Sequence, residues 1–587
     1  MKLNIKKFIV AGAALLMLSA CNDSYEELPI DQYTYEYLFS ETDSLGTKAQ
    51  GFIGTIYDAM RNGHNRIGSE YLDAASDDAL PVNMDSNPDV LKLQLGQYSA
   101  NTRISSEMGW SNYYQAIRRA NIFIEGVDRV PFNAKYTNAL GEKQSLGVTL
   151  KAEARFLRAY FYFELVKRYG GVPLLIDKVY DINDEIELPR NTFEECIDFI
   201  VSELTEIQDD LRGVNSSDRG TYGHAPTRAT CQALKARVLL YAASPLFNEN
   251  PIEPGNELVG YKTYDKNRWK LAADAARQLM EGDGHLGTKR VDLATGLRKP
   301  FMSFYHVVNN KEILLWRQEG NSYSVESNSG PLGFSGTNQG GGHSNPTQNL
   351  VDAFPMKDGK PIGTSDKYPY NLQDPYANRD PRLDATVLYN GRTWLNTTLQ
   401  TWQGGTHNPV GSSYSRTSYY MCKFMQDCTT ESSYSAHQAL WIILRYTETL
   451  LNFAEAENEY LDAPSDEIYA VLTKLRARAG IERGTDNLYG LKANMTKEEM
   501  REVIRNERRI ELAFEEHRFY DIRRWREAEK VYQQPLKGMR IVQNASGTNY
   551  SVYDVLKVNF DKKRYLFPIP YSEVNKNDNM IQNPNWN

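Results

Sequence analysis

The sequence has no long apolar run after its first twenty residues. No later stretch holds 18 uninterrupted apolar residues, and the mean hydropathy is -0.57, so we expect no membrane-spanning helix in the body of the chain. The 67 basic and 75 acidic residues give a net charge of -8 without a basic stripe. This balance argues against a nucleic acid as the main partner, because a phosphate backbone needs a cationic surface.

Cysteine is scarce as well. After Cys21 the chain contains only Cys196, Cys231, Cys422 and Cys428, which is too few for a disulfide framework in a chain of 587 residues. Cys422 and Cys428 are close enough in sequence to form a bridge in an oxidising compartment, and two unpaired buried thiols are the alternative. The sequence leaves this choice open.

Several chemical motifs are missing. The sequence has no CxxC, no Cys/His metal spacing, no HExxH, no GxSxG, and no GK[ST] after its glycine-rich "GTNQGGGH". We therefore predict no cofactor and no enzymatic activity. Oxygen-bearing side chains are plentiful in "NENPIEPGNE" but lack EF-hand spacing, so a structural calcium ion is neither predicted nor excluded.

The N-terminus carries an export signal. Lys2, Lys6 and Lys7 precede the apolar "FIVAGAALLMLSA", which ends at Cys21. This stretch is too short to span a bilayer as a helix, since about 20 residues are needed. It resembles a bacterial lipoprotein signal, in which the chain is cut before the cysteine and the cysteine receives acyl chains such as palmitate. Several acyl chains on one residue hold a protein stably on a membrane, so we expect Cys21 to be the lipid anchor.

Helical periodicity dominates from about 45 to 310. In "KAEARFLRAYFYFELVKRYGGVPLL" the apolar residues recur at steps of three and four, and Gly170, Gly171 and Pro173 end the helix. In "PTRATCQALKARVLLYAASPLF" a helix begins at Thr227 and ends before Pro245. Successive helices rich in Ala, Leu and Tyr predict a mainly α fold with hairpins of the tetratricopeptide type, although no fixed-period repeat is present.

The amino-acid composition and the predicted structure change at 311–435. "KEILLWRQ" predicts a strand, and polar, Gly-, Ser- and Asn-rich chain with interspersed aromatic residues follows. Loops this long are functional or disordered, and their aromatic residues favour order. Helical patterns return in "LWIILRYTETLLNFAEAENEYL", "EIYAVLTKLRARAG" and "KEEMREVIRNERRIELAFEEHRFYDIRRWREA". We expect one interleaved globule.

The cluster "RNERRIELAFEEHRFYDIRRW" is dense in charge, and Glu507, Glu511, Glu515 and His517 could suggest acid–base chemistry. On a helix, however, several of these charges must lie at packed contacts, where carboxylates and arginines three and four residues apart satisfy one another. We interpret the cluster as structural.

Eleven segments in order resemble the SusD family (also called RagB/SusD) of surface lipoproteins. They are "LDAASDDA", "WSNYYQAIRRANIFIE", "AEARFLRAYFYFELVKRYGGVPLL", "PTRATCQALKARVLLYAASPLF", "LVDAF..KDGKPI", "DPRL", "LRYTETLLNFAEAENE", "LRARAGI", "RNERRIELAFEEHRFYDIRRW", "LFPIP" and "QNPNW". The resemblance implies a SusD-like helical fold with a tetratricopeptide-like scaffold. It also implies oligosaccharide capture at the outer membrane and delivery to a TonB-dependent transporter of the SusC type. A peptide-capturing family member and a surface glycosidase are the rival interpretations.

The resemblance also implies where ligand is held. Sugar rings stack their C–H faces on aromatic side chains, while their hydroxyl groups need amides and carboxylates. Family ligand contacts come from a loop after the "SDD" stretch and from the central irregular block. The predicted glycan-binding residues are therefore Asp78, Asn83, Asp85, Tyr323, Trp394 and Trp402.

The predicted organisation follows from these patterns. It comprises a signal peptide at 1–20, the lipidated cysteine and tether at 21–30, a helical region at 31–310, a loop-rich, ligand-binding region at 311–435, and a C-terminal helical region at 436–587. The protein is expected on the outer membrane, facing the cell exterior.

Overall fold

The structure is a computed structural model that describes residues 34–176, 178–180, 184, 186–212, 225–282, 293, 311–411 and 413–586. Cys21 and the rest of the N-terminal signal lie outside the described residues. No helix in the described part of the chain is long and apolar enough to cross a membrane.

The described chain is mainly helical, which confirms the predicted class. Its longer helices are α1 (Thr47–Tyr57), α2 (Trp110–Gly126), α3 (Leu146–Tyr169), α4 (Phe193–Ile207), α5 (Arg228–Ala243), α6 (Asn267–Glu281), α7 (Tyr446–Tyr460), α8 (Asp466–Ala479), α9 (Lys497–Glu511) and α10 (His517–Arg524). The helix ends carry capping signals in the local sequence. At α4, the Thr192 side chain accepts from the Glu195 N–H while the Glu195 side chain accepts from the Thr192 N–H.

Consecutive helices pack on one another in the order α2, α3, α4, α5 and α6. The stack continues through α7, which contacts α6 and α5 and also packs against α8 and α9. The N-terminal and C-terminal helices therefore share one hydrophobic core.

Two strand pairs stand out from the shorter ones. Strand β1 (Ile313–Gln318) pairs antiparallel with β2 (Leu440–Arg445), from the Leu440–Gln318 pair to the Arg445–Ile313 pair. Strands β3 (Leu536–Asn544) and β4 (Gly547–Leu556) form an antiparallel hairpin. Short pairs elsewhere join Ala79–Leu80 to Asn345–Pro346, Lys135–Thr137 to Lys143–Ser145, Val387–Leu388 to Tyr420–Met421, and Thr393–Trp394 to Thr397–Thr398.

Two sequence-based predictions need correction. The segment "LWIILR", predicted as the start of a helix, is strand β2, and α7 begins only at Tyr446. The long C-terminal pattern is two helices, because the chain turns after α9 and has φ of 62° at Phe514 and at Glu516. Non-glycine residues rarely adopt this conformation, so the surrounding contacts must hold the turn in place.

Buried ion pairs tie the C-terminal helices to the rest of the core. Glu511 is 0% exposed, and its oxygens lie 3.0 Å from Arg445 Nη1 and 3.1 Å from Arg382 Nη1, with Arg478 as a third partner. Burial alone would raise the pKa of Glu511, but these three arginines lower it far below its ordinary value. The structural interpretation of the charge cluster is confirmed at this residue.

The four described cysteines, Cys196, Cys231, Cys422 and Cys428, are all buried and free. Of the two alternatives for Cys422 and Cys428, the structure has the unpaired thiols. Burial raises the pKa of Cys422 to about 11 and that of Cys428 to about 12. Both thiols are therefore protonated and unreactive at neutral pH.

Candidate functional site

Two distant loops meet beside Tyr323 in the loop-rich block. Ser322 and His437 exchange both backbone hydrogen bonds, at 2.9 and 3.0 Å. Ser329 Oγ donates to Asn65 Oδ1 at 3.1 Å, which brings in the loop after α1. We call Asn65, Tyr323, Asn328 and His343 the Tyr323 patch.

A short helix, Ser324–Ser329, presents the aromatic ring of this patch. Tyr323 precedes its first residue and is 37% exposed. Asn328 Nδ2 donates to the Ser324 carbonyl oxygen at 2.7 Å, which fixes the orientation of the amide. An exposed ring beside a fixed amide matches the requirement of a sugar for one apolar face and a polar edge.

A run of three glycines places His343 beside that helix. The N–H of Gly341 donates to the Ser327 carbonyl at 2.8 Å, and the N–H of His343 donates to the Asn328 carbonyl at 3.1 Å. A Cβ on Gly341 would lie 2.7 Å from the Asn328 carbonyl oxygen, and one on Gly340 would lie 2.2 Å from that of Gly330. Only glycine allows the two backbones to approach this closely.

A buried carboxylate orients the His343 ring. Glu70 is 1% exposed; its Oε1 lies 2.8 Å from His343 Nδ1, and its Oε2 accepts from Ser344 Oγ at 2.7 Å and from the Ser344 N–H. The His343 side chain keeps 25% exposure. With Nδ1–H donating to Glu70, the neutral ring has Nε2 as its acceptor for a ligand hydroxyl.

A second buried carboxylate holds the short helix of the Tyr323 patch in place. Glu326, in the short helix, is 0% exposed and accepts from the Gln426 N–H at 2.9 Å. Its Oε1 lies 3.6 Å from His437 Nε2. Burial raises the pKa of Glu326 above its ordinary value, although His437 and Gln426 oppose the rise. These contacts fasten the helix that carries Tyr323 to the 426–437 loop.

A second patch, the Trp402 patch, comprises Asp85, Trp402, Tyr414 and Arg416. Asn408 Nδ2 donates to the carbonyl oxygens of Thr401 and Ser415, both at 3.1 Å, and so joins the segment of Trp402 to that of Tyr414 and Arg416. The next residue after Trp402, Gln403, donates its N–H to Ile541 of β3 at 3.4 Å, and Trp402 itself is partly buried. The Arg416 guanidinium lies 5.1 Å from the Tyr414 ring centroid, and its Nη2 is 2.7 Å from Asp85 Oδ1.

We call the two patches together the loop face. Within the loop-rich block, the rings of Phe334 and His407 lie with centroids 4.7 Å apart, and Asn338 Nδ2 donates to the Ser432 carbonyl at 2.9 Å. His407 is 2% exposed, and burial lowers its pKa below the ordinary value. His407 is therefore a neutral packing residue at neutral pH.

Two of the predicted glycan-binding residues cannot contact a ligand in this structure. Trp394 is 0% exposed, and its indole N–H donates to Tyr434 Oη at 3.1 Å. Asp78 is also 0% exposed, and Arg509 Nε donates to its Oδ1 at 2.7 Å. The predictions for Trp394 and Asp78 are wrong, because tertiary contacts enclose a ring and a carboxylate that the sequence places in loops.

The other four predicted residues lie on the loop face. Tyr323 belongs to one patch, and Trp402 and Asp85 belong to the other. Asn83 is next to Asp85 and caps a short turn by accepting from the Ser86 N–H at 3.3 Å. Their binding of glycan stays a prediction.

Sequence reasoning missed part of the surface. Asn65, His343 and Arg416 join it only through contacts between distant segments. The "GGGH" segment offered a signal, since three consecutive glycines before a polar residue indicate a close backbone approach.

The loop face offers a ring and hydrogen-bonding groups. Beside the Tyr323 patch, Glu70 has both carboxylate oxygens engaged and Glu326 is fully buried. Among the described residues, no group of three His, Cys, Asp or Glu side chains could hold a metal ion. The exposed ring and the oriented hydrogen-bonding groups suit ligand binding.

Comparison with known proteins identifies relatives for most of the chain. A family model described as the SusD family matches residues 311–586, and one described as "Starch-binding associating with outer membrane" matches residues 37–240. SusD-like protein P2 of Formosa agariphila is 23% identical over 479 residues, which is 81% of this chain and 79% of that protein.

Solved structures share the fold. A SusD-like protein from Bacteroides fragilis is 26% identical, with a TM-score of 0.74 over 94% of this chain and 100% of its own. A structure described as a laminarin-binding SusD-like protein is 20% identical, with a TM-score of 0.60 over 92% of this chain and 99% of its own. Another from B. fragilis, described as a SusD-like carbohydrate-binding protein, is 22% identical, with a TM-score of 0.69 over 91% of this chain and 99% of its own.

The two model matches together cover residues 37–240 and 311–586, and the helices that they cover pack into one core. The fold is mainly α, as the sequence predicts, and the chain belongs to the SusD family.

Proposed function

We propose that this protein binds oligosaccharides on its loop face and delivers them to a SusC-like, TonB-dependent transporter in the outer membrane. The observation that carries the proposal is the Tyr323 patch, where one short helix has an exposed ring at its N-terminal end and an oriented histidine and two amides at its C-terminal end. This combination matches the apolar faces and hydroxyl edges of a sugar. The names of its structural neighbours, carbohydrate-binding and laminarin-binding, support the same ligand class.

Binding without cleavage is part of this proposal. A glycosidase needs two carboxylates about 5 to 10 Å apart across a cleft, whereas Glu70 and Glu326, the carboxylates of the Tyr323 patch region, are 1% and 0% exposed. We infer that the protein captures its ligand without cleaving it. Incubation with candidate glycans should therefore generate no new reducing ends.

Tyr323→Ala should weaken oligosaccharide binding by about 1–3 kcal/mol, the cost of removing one stacking ring, with an unchanged melting temperature. Calorimetry on residues 22–587 against plant, host and microbial oligosaccharides, laminarin fragments among them, measures the affinity. Tyr264→Ala is the matched control, since Tyr264 is 53% exposed and its charged neighbours, Glu249, Lys266 and Glu459, belong to neither patch.

Equal affinity of the Tyr323→Ala variant and the wild type for a bound glycan would remove the Tyr323 patch from the binding site. If every glycan fails to bind and oligopeptides bind instead, the ligand class is wrong and the protein captures peptides.

Cys21→Ala should release the protein from the membrane fraction, because the lipidated cysteine is the proposed anchor. Fractionation of cells followed by immunoblotting measures the release. From wild-type membranes in mild detergent, an affinity tag should also recover the proposed transporter. Retention of the variant in the membrane fraction would contradict the anchor, and repeated recovery of the wild type alone would contradict the partnership.

A further inference from the structure

A partly enclosed cavity of about 50 Å³ lies between helices α3, α5 and α10 and strand β2. The turn before α10, with its φ of 62° at Glu516, forms one wall, and Arg61 from the segment after α1 forms another. About 10–15 Å³ is enough for one water molecule, so there is room for roughly four, or for one small polyatomic ion. No residue of either patch of the loop face lines this cavity, which is therefore separate from the proposed glycan site.

Two tyrosine hydroxyls of this cavity have no partner in the described protein. Tyr160 of α3 and Tyr241 of α5 both line it, and they are 4% and 5% exposed. Their rings pack against Phe161 and Phe163, but neither hydroxyl makes a hydrogen bond to a residue that the structure describes. Neither oxygen is sealed off by protein atoms. Because a buried hydroxyl without a partner is unfavourable, both must be satisfied by whatever occupies the cavity.

Two cationic side chains add N–H donors to the same space. Lys167 of α3 donates to Glu164 Oε1 at 2.6 Å, which leaves its other N–H groups available. Arg237 of α5 is 7% exposed and donates Nε to Glu448 and Nη2 to the Ile443 carbonyl, both at 2.6 Å. Its Nη1 has no hydrogen-bond partner in the described part of the chain. The cavity therefore has positively charged donors beside its hydroxyls.

The ring of His517, at the start of α10, adds a neutral donor. Its Nδ1 lies 3.1 Å from Arg508 Nη2, and an arginine can only donate, so the proton of the neutral ring lies on Nε2. Burial lowers the pKa of His517 well below its ordinary value, and the positive charges of Arg508 and Arg237 lower it further. The ring is therefore neutral at neutral pH and lies in a positive potential, which favours an anion as its neighbour.

The carboxylates of the cavity walls are already engaged by cations. The pairs are Glu164 with Arg168 at 2.7 Å, Glu515 with Arg445 at 2.7 Å, and Glu516 with Arg66 at 2.6 Å. Available donors therefore outnumber available acceptors. Water offers as many donors as acceptors, so an ion with several acceptor oxygens matches this set better.

We propose that this cavity binds a small oxyanion of the size of phosphate or sulfate. Its donors are the hydroxyls of Tyr160 and Tyr241, Nη1 of Arg237, the ammonium group of Lys167 and Nε2 of His517. Because these groups come from α3, α5 and α10, the bound ion links the N-terminal helices to the C-terminal ones. Its role is to stabilise the fold.

The oxyanion should stabilise the folded chain over the unfolded chain. At equal ionic strength, the melting temperature should be higher in sodium sulfate or phosphate than in sodium chloride. Part of this rise is general, because both anions are excluded from protein surfaces. The double variant Tyr160→Phe/Tyr241→Phe keeps both rings and should show a rise smaller by about 1–3 °C than the wild type. In calorimetric titrations with inorganic phosphate, it should bind at least about ten-fold more weakly.

Tyr532→Phe is the matched control. Tyr532 is buried and donates its hydroxyl to the Ala75 carbonyl at 3.3 Å, and it does not line the cavity. This variant should keep the wild-type rise in melting temperature and the wild-type affinity for phosphate.

Crystals soaked in sodium selenate give an independent readout, since selenate has the shape of sulfate and a strong anomalous signal. A peak within hydrogen-bond distance of Tyr160 and Tyr241 is the expected result. Ordered water without an anomalous peak would overturn the proposal, as would an equal rise in melting temperature for the wild type and the double variant.

Discussion

Glu511→Gln should lower the free energy of unfolding by about 3–5 kcal/mol, since it removes the negative charge from a buried group of arginines. The glutamine has nearly the same volume, so no cavity contributes. Arg382, Arg445 and Arg478 would share one fewer carboxylate in a site that is closed to water. Urea denaturation followed by circular dichroism measures the change.

The same helix supplies the control. The Glu502 side chain is 70% exposed and lies 3.8 Å from Arg505, so Glu502→Gln should change the unfolding free energy by less than about 0.5 kcal/mol. If the two variants are equally stable, the Glu511 cluster does not stabilise the fold.

Acid should destabilise the protein between about pH 5 and pH 2, through two further buried carboxylates. Burial would raise the pKa of Glu455, but Arg524, Arg508 and Trp525 lower it from 4.5 to about 2. Burial would also raise the pKa of Glu107, but Arg168, Arg66 and Arg61 lower it to about 2. Because both folded-state pKa values lie below the unfolded value, the stabilisation is complete above pH 5 and is lost as the pH falls towards 2.

Each of these shifts corresponds to roughly 3 kcal/mol. Unfolding midpoints measured from pH 7 to pH 3 should therefore fall steeply in the wild type. Glu455→Gln should be less stable than the wild type at pH 7, and this difference should shrink as the pH falls. A difference that stays constant with pH would contradict the assignment of this acid sensitivity to Glu455.

The sequence predicted the helices well, because their patterns are local. Each helical segment contains its own 3.6-residue periodicity and capping residues. The glycines and the proline that end α3 follow it directly in the sequence. The segment "LWIILR" was mistaken for helix because its strand partner, β1, lies more than a hundred residues earlier in the chain. A short apolar run does not distinguish strand from helix until its partner is known.

The binding surface was harder to predict, for the same reason. Trp394 and Trp402 lie in one loop among similar neighbours, yet Tyr434, 40 residues beyond Trp394, encloses the first ring. The sequence contains no local sign of that contact. Likewise, His343 gains its orientation from Glu70, 273 residues earlier, so only the assembled fold brings this part of the surface together.

The pairing of Asp77 and Asp78 with Arg509 and Arg518 also affects how the protein can be made. These contacts join residues 431 to 441 positions apart, so the ends of the chain must meet before the core closes. A polypeptide exported N-terminus first would have almost its entire length outside the membrane before this step. Until then its apolar surfaces stay exposed to aggregation. For the exported protein that we propose, we therefore expect dependence on holding chaperones, and degradation of C-terminal truncations.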